Sequence, residues 1–343
     1  MTKEFKKYND TKEFKKYNDI ENSYREACIE KSIFSGFSKE TFHVEEKIHG
    51  ANFQFYVSDD ETVGGKRTDF ISDGEKFFSW KLVFEKYKNA VEQLRERYFK
   101  DYDIIVYGEL FGGSYPHPDV PRDTKFSNVQ KEIFYAPIQD FICFDIYIYN
   151  EIESVYINTT KRNKLCEEFG IPYAKTLFTG TLEECLEYPN HFLTTIPKEY
   201  GLPDIENNIC EGVVIRPERD LRVRTGERAI VKNKNERFTE KKARVKTDKP
   251  IEELPEHIVT MIDNINQYIN ENRLNNMLSK VGEATPKDFG LYIQMYSKDV
   301  YQDFFKDYNE EFKNWEKSDQ KKFQKEVNQI VVNFLKTNLL TKI

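Results

Sequence analysis

Residues 42–57, "FHVEEKIHGANFQFYV", alternate apolar and polar positions and then break the alternation. A two-residue period is the mark of a strand with one covered face. It puts Phe53, Phe55 and Val57 on one side, and Gln54 and Tyr56 on the other. Inside this strand-like run stand Lys47, His49 and Gly50, which apolar packing does not explain. "VGGKRT" (63–68) closes a second hairpin-like region, with Gly64-Gly65 as the turn. Short apolar runs at 103–113, 141–149, 209–217 and 228–235 predict further strands. Residues 20–37 and 75–100 predict helices, and 159–199 two helices with loops.

Past residue 245 the pattern changes. "TDKPIEELPEHIV" carries two prolines and reads as a linker, and the residues beyond it have helical spacing only. Thr285 is a candidate N-cap, with Pro286 at the first helical position and Asp288 three residues after the cap. Ser318 is a candidate cap for a last helix with Phe323, Val327, Ile330, Val331 and Phe334 on one face. The expected class is therefore α+β. Antiparallel sheets with flanking helices occupy 11–245, a linker 246–255, and a small all-helical domain 256–343. Thr2–Asp10 and Thr11–Asp19 both read "TKEFKKYND", too short for a solenoid unit. The first copy, within 1–10, is expected to be dispensable and poorly ordered.

A chain of 343 residues is long enough for one large domain and a smaller one, and 27 Phe and 21 Tyr can fill their cores. No apolar run approaches the ~20 residues of a membrane span. The start is too polar for a secretory signal. A cytoplasmic monomer, of a kind a virus or phage could encode, is the expectation. Five scattered cysteines without a CxxC pair argue against a disulfide framework, and five histidines lack metal-ligand spacing. Net charge is 52 − 59 = −7, but residues 216–249 hold thirteen Lys/Arg against six Asp/Glu, a local +7. Such a segment reads either as a phosphate-binding surface or as a solvated charged face.

Lys47 raises the sharper question. An ordinary lysine, with pKa near 10.4, is neutral only about once in two thousand at pH 7. Neighbouring Glu45 and Glu46 favour its charged form, so activation has to come from elsewhere. Lys232 and Lys234, two apart on one strand face, are candidates, and a divalent metal acts in the same direction. A solvated lysine is the plain alternative. Gly50 would permit a tight turn and close approach of a ligand, and His49 and Asn52 add orienting donors.

Six segments then occur in order: "EEKIHGAN" (45–52), "GKRT" (65–68), "YGEL" (107–110), "FDI" (144–146), "EGVVIRP" (211–217) and "VKNKN" (231–235). They resemble the successive motifs of the covalent nucleotidyltransferases, and the KxHGxN pattern is similar to that of the RNA ligase 2 family. "RFTEKKA" (237–243) and "NRLNNMLSKVGEATPKDFG" (272–290) look like its C-terminal domain, so the likeness runs from about Phe14 onward. The chain departs in its extra copy of the repeat and in Arg216, where a lysine also occurs. The resemblance implies that Lys47 attacks ATP to form a covalent lysyl-AMP. It implies contacts from Glu46, Ile48 and His49 beside the nucleophile, and stacking of Phe144 on the base. Glu109 would bind the ribose, Arg67 and Asn52 the ribose or phosphates, and Lys232 and Lys234 the α-phosphate. Glu211 would bind Mg²⁺, with Mn²⁺ as a substitute. Arg67, Arg216, Lys241 and Lys242 would face RNA, whose 5′-phosphate and 3′-hydroxyl ends would be joined at a nick in a duplex. Asp145 would support the site. The rivals are a capping guanylyltransferase or DNA ligase, which usually append a strand-rich OB barrel, and a catalytically silent nucleic-acid-binding relative.

Overall fold

The computed structural model describes residues 13–24, 26–238, 254–281 and 288–339. The chain divides into two compact units, Met1–Arg237 and Phe238–Ile343. The first copy of the repeat, Lys241, Lys242, most of the expected linker and Thr285-Pro286 lie outside the described residues.

The first unit runs β1 (Glu21–Asn22), α1 (Glu26–Phe34), β2 (Phe42–Glu46), β3 (Ala51–Val57), β4 (Thr62–Lys66), α2 (Trp80–Tyr98), β5 (Asp103–Gly112) and β6 (Gln139–Tyr149). Then come β7 (Ser154–Tyr156), α3 (Thr159–Glu168), β8 (Thr176–Gly180), α4 (Leu182–Leu186), α5 (Ile196–Glu199), β9 (Gly212–Pro217) and β10 (Val231–Lys234). Two five-stranded sheets result, ordered β1-β10-β9-β2-β8 and β4-β3-β5-β6-β7. The named pairs are antiparallel except β1 with β10. The class is α+β.

Four expectations about these elements need correction. Gly64-Gly65 is not a turn: both lie inside β4, opposite Phe55 and Gln54, and the hairpin turns between Ser58 and Glu61 instead. The helix expected over 20–37 is shorter and is preceded by β1. The segment 159–199 holds an edge strand, β8, between its helices. Its "TLFTG" is half-exposed and does not alternate, so no two-residue period announced it. Lys47 is not within a strand: the 42–57 run is two strands in two different sheets, and residues 47–50 cross from one sheet to the other.

Burial explains the second sheet. Trp80, Val83, Phe84, Tyr87, Val91 and Leu94 recur at helical spacing along α2 and meet Phe53, Phe55 and Phe141 in one core. Phe55 and Phe84 stack with centroids 5.5 Å apart. Truncating either to alanine costs about 3–5 kcal/mol by the usual cavity penalty. The opposite face is covered too, which is why Tyr56 and Gln54 are buried. Tyr56, Tyr107 and Tyr156 pack there against Tyr17 of the second repeat copy. The Tyr17 hydroxyl donates to Asp145 Oδ2 at 2.9 Å.

The second unit contains α6 (Glu256–Asn266), α7 (Glu271–Val281), α8 (Phe289–Lys313) and α9 (Lys317–Leu339), with no strand among the described residues. Phe323, Val327 and Val331 of α9 join Tyr296, Val300 and Phe304 of α8 in one core, with Ile330 and Phe334 partly buried beside them. Ser318 is not the cap: α9 begins at Lys317, and the Glu316 carbonyl accepts from the amides of Asp319 and Gln320. Buried Arg273 donates to Asp303 at 2.8 Å and also pairs with Asp299. All five cysteines are free thiols. No helix among the described residues is long and apolar enough to cross a membrane.

Candidate active site

Three strand ends of the first sheet converge. β9 pairs with β2 on one side and β10 on the other, so Lys47 just past β2, Glu211 just before β9 and Lys234 at the end of β10 come together. The Lys47 amide donates to the Gly212 carbonyl at 2.9 Å. Gly212 has φ +143°, and a Cβ there would lie 2.2 Å from the Asn233 carbonyl oxygen. Only glycine lets β10 approach closely enough to deliver Lys234. Gly50 plays the matching part on the other side, where a Cβ would meet Leu110 O at 2.1 Å and Glu109 Cγ at 2.8 Å. The sequence suggested that a ligand approaches this glycine; strand β5 does so instead, bringing Glu109 against the loop that carries Lys47.

Glu211 is the hub. Lys47 Nζ sits 2.8 Å from Oε2, Lys234 Nζ 3.0 Å from Oε1, and His49 Nδ1 3.4 Å from Oε2. Burial works against its ionised form, but Lys47 and Lys234, joined by His49, hold the carboxyl well below the usual range. The acids next to Lys47 in sequence are turned away from it, contrary to expectation. Glu45 binds Arg162, and Glu46 accepts from Thr194 and, at 2.8 Å, from the Thr195 amide. The Ile48 side chain is buried, and the His49 amide donates to the Tyr135 hydroxyl at 2.8 Å.

The second sheet supplies the facing wall. Asn52 and Glu109 are register partners on β3 and β5. Asn52 Oδ1 is buried without a hydrogen-bond partner among the described residues, an acceptor that suits a ligand hydroxyl. Burial pushes the Glu109 carboxyl up to about 7, with Lys47 and Arg67 opposing and Glu211 assisting. A raised carboxyl contributes stability that is complete below its unfolded value of 4.5 and is lost as pH rises to about 7. Glu109→Gln is therefore expected to be more stable than the parent at pH 8 by about 1–3 kcal/mol. At pH 4 the two should converge. Urea titrations at the two pH values check this, and an equal difference at both would refute it.

Arg67 follows β4 and pairs with Asp19 of the second repeat copy, a partner that no motif announced. The half-buried Phe144 ring meets Tyr17 edge-on, centroids 4.9 Å apart. Asp145 is fully buried between Arg216 at 2.9 Å and Arg228 at 2.7 Å. Burial opposes its ionisation, but these arginines hold it below the ordinary range. Lys232 lies two positions before Lys234 on β10 and pairs there with Val214.

Arg216 corrects the expected RNA surface. It is 3% exposed and engaged by Asp145 and the Phe144 carbonyl, so it is a framework cation rather than a contact for nucleic acid. Among the described residues of the basic segment, the side chains of Arg228, on Asp220, and Lys234, on Glu211, are buried likewise, whereas Arg219 and Arg222 are exposed and pair with Glu40 and Asp220. Reading the sequence missed Tyr17, Asp19, Tyr135, Arg162 and Arg228. Each reads in sequence as an ordinary aromatic or a solvated charge, and only tertiary contact gives it a place.

Two facing walls thus carry a buried carboxylate between two lysines and an unpaired acceptor, and comparison with known proteins gives the family. Residues 40–234 match the model of the family described as RNA ligase, and 252–333 match that of the T4 RNA ligase 2 C-terminal region. The chain belongs to the RNA ligase family. It is 30% identical over 231 residues to the mitochondrial RNA-editing ligase 1 of Trypanosoma brucei brucei, covering 58% of this chain and 48% of that protein. RNA-editing ligase 2 of the same organism is 29% identical over 210 residues, covering 54% of this chain and 50% of that protein. The chain thus spans about half the length of these curated relatives. A structure of Naegleria gruberi RNA ligase with PPi aligns at 16% identity and TM-score 0.42, over 66% of this chain and 57% of that one.

Proposed function

We propose that this chain is an ATP-dependent RNA ligase that joins a 3′-hydroxyl to a 5′-phosphate, at nicks in duplexes, with residues 11–245 as the adenylyltransferase domain and 256–343 as the RNA ligase 2-type C-terminal domain. The observation that carries the reading is Lys47 at 2.8 Å from buried Glu211, with Lys234 on the same carboxylate. The neutral Lys47 amine attacks the α-phosphorus of ATP; a P–N bond forms, the bond to pyrophosphate breaks, and the amine's proton is lost. An oxygen of the RNA 5′-phosphate next displaces Lys47 from AMP, giving a 5′-adenylylated end. The 3′-hydroxyl then attacks that 5′-phosphate and AMP leaves. Lys234 and Lys232 offset charge developing on the α-phosphate. Asn52 Oδ1 accepts from a ribose hydroxyl, and Glu109 lies opposite it to do the same. Phe144 supports the base, and Arg67 the ribose or phosphates.

The donor set suits a hard cation. No group of three or more His, Cys, Asp or Glu forms a metal cage among the described residues, and Mg²⁺ typically takes one or two carboxylates plus substrate phosphates. Glu211, with Glu109 nearby, would hold it, and Mn²⁺ would serve similarly; its chemistry there is to neutralise phosphate charge. The test is to incubate the protein with α-labelled ATP and Mg²⁺, then add 5′-phosphorylated RNA, nicked or single-stranded. Label should move from protein to RNA end to free AMP, faster on the nick. Labelling by GTP alone would favour the capping reading, and no labelling would end the proposal.

A further inference from the structure

The reacting groups come from two sheets. Lys47, Glu211 and Lys234 belong to strand ends of the first, whereas Asn52, Glu109 and Phe144 belong to the second. On the ligase reading, base and ribose are held by one sheet while the nucleophile is held by the other. The rate of attack then depends on how the sheets are set against each other, and misplacement by about 1 Å can cost on the order of 100-fold.

The chain itself joins them through residues 47–50 and again through α3, between β7 and β8. A buried polar tie joins them alongside. Arg162, on α3, is fully buried. Its guanidinium donates to Glu45 Oε1 at 2.5 Å and Oε2 at 3.3 Å, on β2, two residues before Lys47. The same group donates to the Phe144 carbonyl on β6, and to the Ala174 carbonyl at 3.0 Å. Asn163 Oδ1 accepts from it as well, at 3.0 Å from Nε. Arg216 of β9 crosses the same gap to Asp145 of β6. Arg216 and Asp145 fall inside the motifs, but Arg162 belongs to none of them.

We propose that Arg162 is a positioning residue for lysine adenylylation, clamping the strand that presents Lys47 to the strand that presents Phe144. A planar fork satisfies the Glu45 carboxylate and two main-chain carbonyls at once, which the single ammonium of lysine does not. Since base and ribose contacts stay together on one sheet, loosening this clamp should leave ATP binding nearly intact while slowing attack. A purely structural arginine would behave differently, lowering the fraction of competent molecules but not the rate of those that fold.

The inference rests on the ligase reading, so the experiment separates the two. Single-turnover formation of protein-AMP is followed over a range of ATP concentrations for the parent, Arg162→Lys and Glu45→Gln, with thermal unfolding of each recorded. The glutamine variant keeps the shape of Glu45 and guards against failure of the lysine variant to fold. The expected result is a rate constant at saturating ATP reduced at least ~30-fold in Arg162→Lys and ~10-fold in Glu45→Gln. The half-saturating ATP concentration should change less than about threefold, and amplitudes should match the folded fraction. Unchanged rate constants with reduced amplitudes would overturn the clamp and leave the ligase reading standing. Absence of labelling in the parent would instead overturn the ligase reading, and the clamp with it.

Discussion

Lys47→Ala is expected to take up no label from α-labelled ATP while keeping its fold. On the proposed mechanism Lys47 is the one group no neighbour can replace, since Lys234 is held on the far oxygen of Glu211 at 3.0 Å. The fold should survive because the Lys47 side chain is 23% exposed, and its loss leaves Glu211 still paired with Lys234 and His49. Lys47→Arg sharpens the test. A guanidinium preserves the positive charge beside Glu211 but cannot shed a proton to attack phosphorus. If charge alone mattered, the arginine variant would retain activity; if nucleophilicity matters, both variants are silent. The measurement is label retained on denatured protein after brief exposure to ATP and Mg²⁺. Label in Lys47→Ala at more than about one part in a thousand of the parent rate would show that another group carries the AMP.

The same substitutions show why part of this site was legible in the sequence. Lys47, Glu211 and Lys234 lie in short segments whose residue types are imposed by chemistry, and the two glycines beside them are imposed by close backbone approach. Those constraints are local, so they can be read locally. Strand β3 was visible because Phe53 and Phe55 alternate, although the burial of Gln54 and Tyr56 on its other face was not, and the half-exposed, non-alternating edge strand β8 was hidden. The break between β2 and β3 looked like one interrupted strand because periodicity reports which side a residue faces and not which sheet it belongs to. Arg162 was invisible for a different reason. A buried arginine on a polar helix has the same composition as a solvated one, and the difference lies in Glu45 and Phe144, far away in sequence. The charge of the 216–249 segment misled in the reverse sense, because a net count cannot distinguish Arg216 on buried Asp145 from a cation facing solvent.

Glu211→Gln is expected to reduce the rate of protein-AMP formation by about 100- to 1,000-fold. Two effects oppose each other. Removing the carboxylate frees Lys47 from its ion pair, which on its own would make the neutral amine easier to reach. It also removes the acceptor that orients Lys47 and Lys234 together, and the oxygen that would hold a divalent cation beside the phosphates. The first gain is bounded by one ion pair with a partly exposed lysine, on the order of 1 kcal/mol or about fivefold. Loss of orientation and of metal charge together carry about 4–5 kcal/mol, so the second effect dominates. Stability should move as well. Glu211 is held below its unfolded value of 4.5, so its contribution is present above that pH and fades as pH falls through the lower folded value. The glutamine variant, leaving two lysines without their shared carboxylate, is therefore expected to be less stable than the parent at pH 7, by about 3 kcal/mol. That deficit should shrink on acidification below pH 4.5. Rates measured with folded protein at saturating Mg²⁺, beside urea titrations at pH 7 and pH 3.5, separate the two consequences. A variant within threefold of the parent rate would mean that Glu211 merely neutralises the two lysines, and that phosphate charge is met elsewhere.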